Sequence, residues 1–426
     1  MTGRYPGNGA WSRRRFLSRS AASALALPSL TALLSACDGP QDGLVAASTT
    51  PDLPLARPAS PLELPLSSDP IATDTPLEKG ATLQVFNWEG YISKEVLSAF
   101  ESEFDVTVRW TTFTNLEDAI QQLNEGQVAA DVFFPTTDYI SRLVQGGESG
   151  PLIQPLNQEL IPNLASAVWP SFSDPGPFYD LGARYTVPYT IYTTGVAYRR
   201  DRVDDADAAA QGYEMLWNPA YRGEIAYYDS YRDALGMAMI RNGGTDPNSS
   251  DPAEITAAKE SILEILTELD GRLGIDGTYA RLPRGQVTVS QAWSGDIVGA
   301  QRYLPGKTDA SVLGFWYPAD GGLIANDTIV IPASAPSPRL AHEFVNFLLD
   351  ANWGYRNFAR WNDYQPPFTS IDAASLIERE VVTSKLRDAV VTEDMYSTPL
   401  IQGQLSAEVD LLWLEAWSEI QAARQG

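Results

Sequence analysis

Short apolar strands alternate with amphipathic helices early in the folded part of the chain, and this alternation limits the possible folds more than any other feature. Strand patterns at 83–86, 106–110 and 131–134 are separated by helical patterns that open at the capping residues Ser93 and Asn115. Consecutive βα units build a parallel sheet, whose ligands lie at the carboxyl ends of the strands. The sequence therefore predicts an α/β fold with binding residues just after the first and third strands.

A second α/β region follows near residue 190. Its clearest helix opens at Asp251-Pro252, where an aspartate cap precedes a proline in the first turn. Segments 323–332 and 343–349 fit a further strand and helix, and 409–420 fits an amphipathic helix. The chain beyond residue 79 is long enough for two domains of ordinary size.

The first 36 residues have the features of an export signal. A twin-arginine pattern at 12–17 precedes a small-residue apolar stretch at 21–34, which is too short to span a bilayer. The stretch ends in Leu34-Ser35-Ala36-Cys37, which resembles the lipobox of bacterial lipoproteins. We therefore expect residues 1–36 to be a twin-arginine lipoprotein signal. Cys37 is then the lipid anchor that holds the protein on the outer side of a membrane.

Residues 37–79 are rich in proline and serine and predict a linker. Seven prolines between residues 51 and 76 disfavour a regular helix and favour an extended, semi-rigid chain. A stalk between the anchor and the folded part is the expected role. Leucines such as Leu64 leave open the alternative that the segment packs on the domain.

The counts of cysteine and histidine exclude several kinds of chemistry. One cysteine permits no intramolecular disulfide. One cysteine and one histidine exclude Cys/His zinc sites and nucleophile pairs with histidine. His342 lies in a helical pattern, and we expect it to be a solvated or capped helix residue. Carboxylate-only chemistry, such as that of a glycan hydrolase, stays open.

The net charge of the chain indicates which sign of charge its binding partners carry. The formal net charge is −24; residues 1–36 hold five arginines and no acid, so the remainder carries 25 basic and 54 acidic residues and a charge of −29. Such a field disfavours nucleic acid and anionic substrates and favours cations. We expect no nucleic-acid partner.

Aromatic and acidic residues occur together at the predicted strand ends and turns. The groups are Trp88 with Glu89 and Tyr91, Asp138 with Tyr139, Tyr228 with Asp229 and Asp233, Trp293 with Asp296, and Asp327. An aromatic face attracts an ammonium group by ~0.5–2 kcal/mol, and a carboxylate adds a charge-assisted hydrogen bond. The groups together predict a site for an organic cation.

A set of motifs extends this interpretation over residues 82–370. In order they are Val85-Phe86-Asn87-Trp88-x-x-Tyr91-Ile92, Asp131-Val132-Phe133-Phe134-Pro135-Thr136, Val187-Pro188-Tyr189, Leu216-Trp217-Asn218-Pro219-Ala220-Tyr221-Arg222-Gly223, Trp293-Ser294-Gly295-Asp296, Pro318-Ala319-Asp320-Gly321-Gly322 and Phe344-Val345-Asn346-Phe347-Leu348-Leu349. In this combination they resemble the substrate-binding proteins of polyamine ABC importers, the spermidine- and putrescine-binding proteins.

The resemblance implies a two-lobed type II periplasmic-binding-protein fold with hinge crossings and a cleft between the lobes. Lobe 1 is expected to contain 80–187 and 324–372, and lobe 2 to contain 188–323 and 373–426. The implied function is that of a substrate-binding lipoprotein in the periplasm or otherwise outside the cytoplasm. It captures a polyamine and delivers it to an ABC transporter permease. We expect a monomer without enzymatic activity, cofactor or metal.

The resemblance also implies roles for individual side chains. Residues at the positions of Trp88 and Trp293 stack on the methylene chain of the ligand. Carboxylates at the positions of Asp233, Asp296 and Asp327 take its ammonium groups. The expected ligand-binding residues are Trp88, Glu89, Tyr91, Thr136, Asp138, Asp233, Trp293, Asp296, Asp327 and Tyr364.

The chain departs from this pattern at several positions. Spermidine binders have a tryptophan where this chain has Ala325, and they have a longer glutamate at the position of Asp233. Ser230 stands in place of an acid, although Asp229 is adjacent, and Asp138 adds an anion. The identity and length of the ligand therefore stay open. Another organic cation or a sugar is the alternative ligand, and glycan hydrolysis is a less favoured alternative function.

Overall fold

The computed structural model describes the chain from residue 63 onward with short gaps. The described ranges are 63–113, 115–146, 150–172, 179–396 and 400–424. The predicted export signal, Cys37 and residues 37–62 of the predicted linker lie outside them.

Nine strands and twelve α-helices are formed by the described residues. The strands are β1 Thr82–Trp88, β2 Thr107–Phe113, β3 Val132–Phe133, β4 Val187–Arg199, β5 Ile225–Tyr227, β6 Arg272–Leu273, β7 Val289–Trp293, β8 Leu313–Trp316 and β9 Ile324–Ile329. The helices are α1 Lys94–Phe104, α2 Leu116–Asn124, α3 Ile140–Gln145, α4 Pro162–Ala167, α5 Asp205–Gln211, α6 Tyr231–Arg241, α7 Pro252–Thr267, α8 Ser294–Ala300, α9 Pro338–Leu348, α10 Ala351–Asn357, α11 Ala373–Glu378 and α12 Ala407–Ala423.

Helix starts follow the caps expected from the sequence. The hydroxyl of Ser93 accepts a hydrogen bond from the backbone of Val96 at 3.2 Å, and the side chain of Asn115 accepts one from Asp118 at 2.8 Å. Each cap satisfies a backbone N–H that a helix start leaves without an intrahelical partner. These contacts confirm the predicted starts of α1 and α2.

The strands form two sheets. The first has the order β2-β1-β3 and is entirely parallel, which confirms the predicted βα units. The second has the order β6-β5-β7-β4-β8, with parallel pairs on one side of β7 and antiparallel pairs around β4. The part built on the first sheet with α1–α4, α9 and α10 is called lobe 1 below. The part built on the second sheet with α5–α8 and α12 is called lobe 2.

A two-stranded ribbon connects the lobes. Residues 187–193 of β4 pair with β9, and residues 194–199 pair with β7 and β8 of the second sheet. Directly after β9, Val330 exchanges backbone hydrogen bonds of 2.9 and 3.0 Å with Phe133 of β3. The ribbon is the crossing between the lobes. The expected boundary at 187/188 falls at the start of β4, and the domain limits stay a prediction.

Each lobe has its own hydrophobic core. In lobe 1, Phe100 of α1 packs edge-on against Phe344 of α9, with ring centroids 4.9 Å apart. In lobe 2, α6, α7 and α12 pack together around Trp413, which is completely buried and donates its indole N–H to Ser249. Within the described ranges, every helix is too short or too polar to span a bilayer.

His342 lies in a helix as expected, but the expectation that it is solvated was wrong. Its side chain is completely buried, Nε2 accepts a hydrogen bond from the backbone of Asn157 at 3.1 Å, and Nδ1 lies 2.7 Å from the carbonyl oxygen of Pro338. Burial lowers the pKa of His342. The residue connects α9 to a neighbouring loop and has a structural role.

The last part of the predicted linker packs on lobe 1, as the alternative interpretation allowed. Leu64 is 2% exposed and belongs to a hydrophobic cluster of lobe 1, and the hydroxyl of Tyr185 donates to the carbonyl of Pro65 at 2.6 Å. The carboxylate of Glu78 accepts from the backbone N–H groups of Arg339 and Leu340 at the start of α9. Residues 63–79 therefore do not form a free stalk.

Candidate functional site

The carboxyl ends of β1 and β3 lie next to each other and are connected by a side-chain hydrogen bond. The indole N–H of Trp88, the last residue of β1, donates to the carbonyl of Phe134 at 3.0 Å. The Trp88 ring also packs on Phe113, with centroids 4.6 Å apart. The two loops that the sequence assigned to a site therefore meet at one edge of the parallel sheet.

Asp327 lies on the ribbon between the lobes. It is 4% exposed, and Oδ2 accepts hydrogen bonds from the hydroxyls of Tyr91 and, at 3.2 Å, Thr190. Burial is the main cause that raises the pKa of Asp327 to about 6, and the charges of Asp138 and Asp233 contribute to the increase, although both hydrogen bonds oppose it. A buried carboxylate with two neutral donors is a strong attractor for a cation.

Asp138 is a second carboxylate near Asp327 and belongs to lobe 1. It follows β3, and one of its oxygens accepts a hydrogen bond from the hydroxyl of Thr136. Thr136 in turn forms a backbone bridge with Asp327. Burial raises the pKa of Asp138, while the Thr136 hydrogen bond and the charge of Arg232 act in the opposite direction.

Asp233 and Trp293 form one unit on the lobe 2 side. Asp233 lies in the first turn of α6, and Trp293 is the last residue of β7. The indole N–H of Trp293 donates to Oδ1 of Asp233 at 3.0 Å, and the hydroxyl of Ser230 donates to Oδ2 at 2.7 Å. Burial raises the pKa of Asp233 as well. The ring therefore both borders the site and fixes the direction of the carboxylate.

Asp296 organises aromatic side chains. It is 3% exposed, and its two oxygens accept hydrogen bonds from the hydroxyls of Tyr364 at 2.8 Å and Tyr228 at 3.1 Å. The Tyr228 ring lies against Trp293, with centroids 4.3 Å apart. Asp296 thus positions the two tyrosines, one of which supports the Trp293 ring.

A row of aromatic rings lies between the two lobes. The Tyr192 ring is 5.5 Å from that of Tyr364 and 5.9 Å from that of Trp293, edge-on in both cases. The Tyr364 ring is 6.0 Å from that of Tyr91, the hydrogen-bond donor to Asp327. The rings therefore run from the Asp327 end of the site to the Asp233 end.

Tyr192 is a further candidate site residue, which the sequence did not indicate. Burial raises its pKa, and the charges of Asp327, Asp233 and Asp138 raise it further, so the phenol lies within the field of all three carboxylates. In the β4–β9 ladder Tyr192 is directly opposite Ala325. Opposite residues of an antiparallel pair place their side chains on the same face. The sequence signal was an aromatic residue in a strand that crosses between the lobes.

Most of the expected ligand-binding residues come together, and Glu89 does not. Contacts or shared charge interactions connect Tyr91, Thr136, Asp138, Asp233, Trp293, Asp296, Asp327 and Tyr364. Trp88 lies beside them at the end of β1. Glu89 is exposed, and its backbone N–H bonds to Phe113. Asp229 points elsewhere and pairs with Arg424 at 2.7 Å.

The arrangement is suited to an organic cation with charges at two positions. Among the described residues, no lysine or arginine nitrogen lies within 4.0 Å of the carboxylates of Asp138, Asp233 or Asp327. Buried charges without partners cost several kcal/mol each, so a cationic ligand relieves a penalty that the free protein carries. Aromatic rings between the carboxylates provide surfaces for methylene groups and ammonium faces. No group of three or more His, Cys, Asp or Glu side chains in the described ranges is placed to hold a metal ion.

The sequence matches a protein family model and is similar to individual curated proteins. A family model described as bacterial extracellular solute-binding protein matches residues 95–383. The spermidine/putrescine-binding periplasmic protein of Escherichia coli strain K12 is 25% identical over 305 residues, which cover 71% of this chain and 82% of that protein. The putrescine/cadaverine-binding protein of Pseudomonas aeruginosa is 25% identical over 272 residues, which cover 63% and 74%.

Solved structures share the fold. The spermidine/putrescine ABC transporter substrate-binding protein PotD of Streptococcus pneumoniae has a TM-score of 0.64 at 20% identity, covering 81% of this chain and 99% of that one. The Tp0655 (TpPotD) lipoprotein of Treponema pallidum has a TM-score of 0.65 at 18% identity, covering 80% and 99%. The likeness confirms the expected two-lobed type II fold. With the family model matching well over half of its length, the chain belongs to the bacterial extracellular solute-binding proteins.

Proposed function

We propose that this protein captures a linear polyamine outside the cytoplasm and delivers it to the permease of an ABC importer. The observation that carries the proposal is the convergence of Asp138, Asp233 and Asp327 around a row of aromatic rings. The names of the relatives from E. coli and P. aeruginosa, which bind spermidine, putrescine or cadaverine, support the same ligand class. The family binds solutes and is not an enzyme family.

The proposed mechanism is reversible capture between the lobes. Asp138 and Thr136 come from lobe 1, Asp233 and Trp293 come from lobe 2, and Asp327 lies on the ribbon between them. A ligand that contacts all three groups favours the closed arrangement over an open one, because only closure brings both ends into contact. Closure also excludes water, which strengthens the charge interactions of the ammonium groups. The closed form is then the one that docks on the permease.

Each predicted ligand contact has a physical role in this proposal. The methylene chain lies along Trp88, Trp293 and Tyr364, and Tyr192 adds a ring opposite Ala325, at the position where the sequence left the site open. Carboxylates accept the ammonium hydrogens as charge-assisted hydrogen bonds. Glu89 is exposed, so in this proposal it contributes only through its charge and makes no direct contact with the ligand.

The location of the protein in the cell involves its compartment, its export route and its attachment to a membrane. Membership of the extracellular solute-binding proteins places the chain outside the cytoplasm. We further propose export of the folded chain by a twin-arginine signal, acylation of Cys37 and a monomeric state. The single cysteine supports the export route, because a folded protein without disulfides needs no oxidation after transport.

Titration calorimetry with a panel of ligands tests the proposed function. Putrescine, cadaverine, spermidine and spermine are compared with neutral sugars at pH 8. We expect one mole of polyamine bound per mole of protein and no heat from any sugar. Absence of heat from every polyamine, together with binding of a sugar, would contradict the proposal and favour the alternative ligand.

A further inference from the structure

One arginine of lobe 1 contacts lobe 2 directly. Arg142 lies on α3, and its Nη2 donates a hydrogen bond to the backbone carbonyl of Leu405 at 3.4 Å. The same nitrogen is 3.8 Å from Oδ2 of Asp410, in the first turn of α12. The guanidinium carbon also lies 5.6 Å from the ring centroid of Tyr139. The contacts to Leu405 and Asp410 therefore join the two lobes without involving the ribbon.

Asp410 is held in place within lobe 2. The hydroxyl of Tyr231 donates to its Oδ1 at 2.8 Å, and Oδ2 is the oxygen that Arg142 approaches. Tyr231 is the first residue of α6, two residues before Asp233. On the other lobe, Asp138 lies four residues before Arg142, in the turn that leads into α3. The arginine contact thus connects the two elements that carry Asp138 and Asp233, the carboxylates proposed to bind one ligand nitrogen.

Charges of opposite sign face each other between the lobes at this place. Lobe 1 contributes Asp138 and Arg142, and lobe 2 contributes Arg232 and Asp410. Burial raises the pKa of Asp138, and the positive charges of Arg232 and Arg142 act in the opposite direction. Burial lowers the pKa of Arg232, and the charges of Asp138 and Asp410 oppose that shift. The lobes therefore attract each other here before any ligand is bound.

We propose that Arg142 is a positioning residue that holds the two lobes closed around the bound polyamine and slows its release. The inference rests on the proposed capture between the lobes and adds a contact that does not touch the ligand. Opening of the lobes separates Arg142 from Leu405 and Asp410, so the free energy of these contacts is gained only on closure. A partly exposed ion pair contributes modestly. The expected effect is therefore a few-fold change.

Removal of the Arg142 charge distinguishes this role from a simple field effect. Because Arg142 acts on Asp138, an arginine without a closing role repels the ammonium ligand, and its loss strengthens binding. A closing contact has the opposite effect. For Arg142→Gln we expect about threefold weaker binding of putrescine at pH 8 and an equally increased dissociation rate, with an unchanged association rate. Calorimetry gives the affinity, and stopped-flow tryptophan fluorescence gives the rates.

Two further variants assign the effect to the contact with Asp410. Arg142→Lys keeps the charge and is expected to retain most of the wild-type affinity. Asp410→Asn keeps an acceptor for Tyr231 and is expected to weaken binding about threefold by itself. In the double variant Arg142→Gln/Asp410→Asn the two losses are expected not to multiply, because the second change finds the contact already broken. Field effects of the separate charges cancel in this cycle.

Arg356→Gln is the matched control. Arg356 pairs with Glu95 at 2.9 Å and lies 5.1 Å from the ring centroid of Trp353, so its contacts stay within lobe 1. Its side chain is 33% exposed, close to the 39% of Arg142. We expect this variant to leave the affinity and both rates unchanged.

Failure of this inference is distinguishable from failure of the proposed function. The inference is overturned if Arg142→Gln binds putrescine as tightly as the wild-type protein or more tightly. It is also overturned if the losses of the two single variants multiply in the double variant. Should Arg142→Gln not fold, unchanged affinity in Asp410→Asn overturns it instead. In each case polyamine binding itself stands, whereas absence of binding of every amine by the wild-type protein defeats the proposed function.

Discussion

Replacing Asp327 with asparagine is expected to weaken polyamine binding about 100-fold, equivalent to about 2.7 kcal/mol. The carboxylate is buried and its hydrogen-bond donors, Tyr91 and Thr190, are neutral, so an ammonium ligand supplies its main charge partner. Asparagine has nearly the same shape and can still accept from both hydroxyls. The loss of affinity therefore measures the charge. Calorimetry with putrescine at pH 8 is the measurement.

The same substitution is expected to stabilise the protein without ligand. The pKa of Asp327 is raised to about 6 from the ordinary aspartate value of 3.8, so its ionisation opposes folding above pH 6 by about 3 kcal/mol, and the penalty disappears below about pH 4. Asp327→Asn is therefore expected to increase the free energy of unfolding at pH 8 and to have little effect at pH 4. The control is Asp207→Asn, at an exposed position, which removes an equal charge. Unchanged affinity in Asp327→Asn would show that the ligand lies elsewhere.

Polyamine affinity is expected to fall about 100-fold between pH 7 and pH 4. An ammonium partner favours the ionised carboxylate, so binding is strongest above the pKa of free Asp327, about 6, and is lost as the pH falls through that value. Below pH 6 the expected slope is about tenfold per pH unit for one proton. Asp138 and Asp233, whose pKa values are also raised, steepen the dependence at the acidic end. The amines of the ligand stay protonated throughout this range.

The origin of this pH dependence can be assigned because the chain has a single histidine. His342 is buried in lobe 1 and bonded to Asn157 and Pro338, so it does not titrate in the site. Calorimetry between pH 4 and 8 in buffers of equal ionic strength gives the profile. Asp327→Asn is expected to remove the step near pH 6. A flat profile in the wild-type protein would contradict the proposed role of Asp327.

The sequence predicted the parallel sheet and the strand ends because these depend on local patterns. Apolar spacing and the caps Ser93 and Asn115 depend on residues close together in the chain. Burial of polar side chains depends on distant partners. His342 is bonded to a loop far away in the sequence, and Leu64 fills a cluster of lobe 1, so neither environment was evident from neighbouring residues.

The candidate site was predicted in part for a similar reason. Tyr192 takes its place through the register of β4 with β9, which local spacing does not define. Arg232 is adjacent to Asp233, yet its relation to the carboxylates depends on the burial of α6 against the segment before α12. Motifs can indicate which residues meet at strand ends. The charge interactions among those residues can be described only when the positions of both lobes are known.

A crystal structure with bound putrescine would show whether the buried carboxylates hold the two ammonium groups. We expect one ligand nitrogen within hydrogen-bonding distance of Asp327 and the other within that distance of Asp233 or Asp138, with the methylene chain against Trp293 and Tyr192. A ligand bound away from Asp327 and Asp233, or with both nitrogens in solvent, would contradict it.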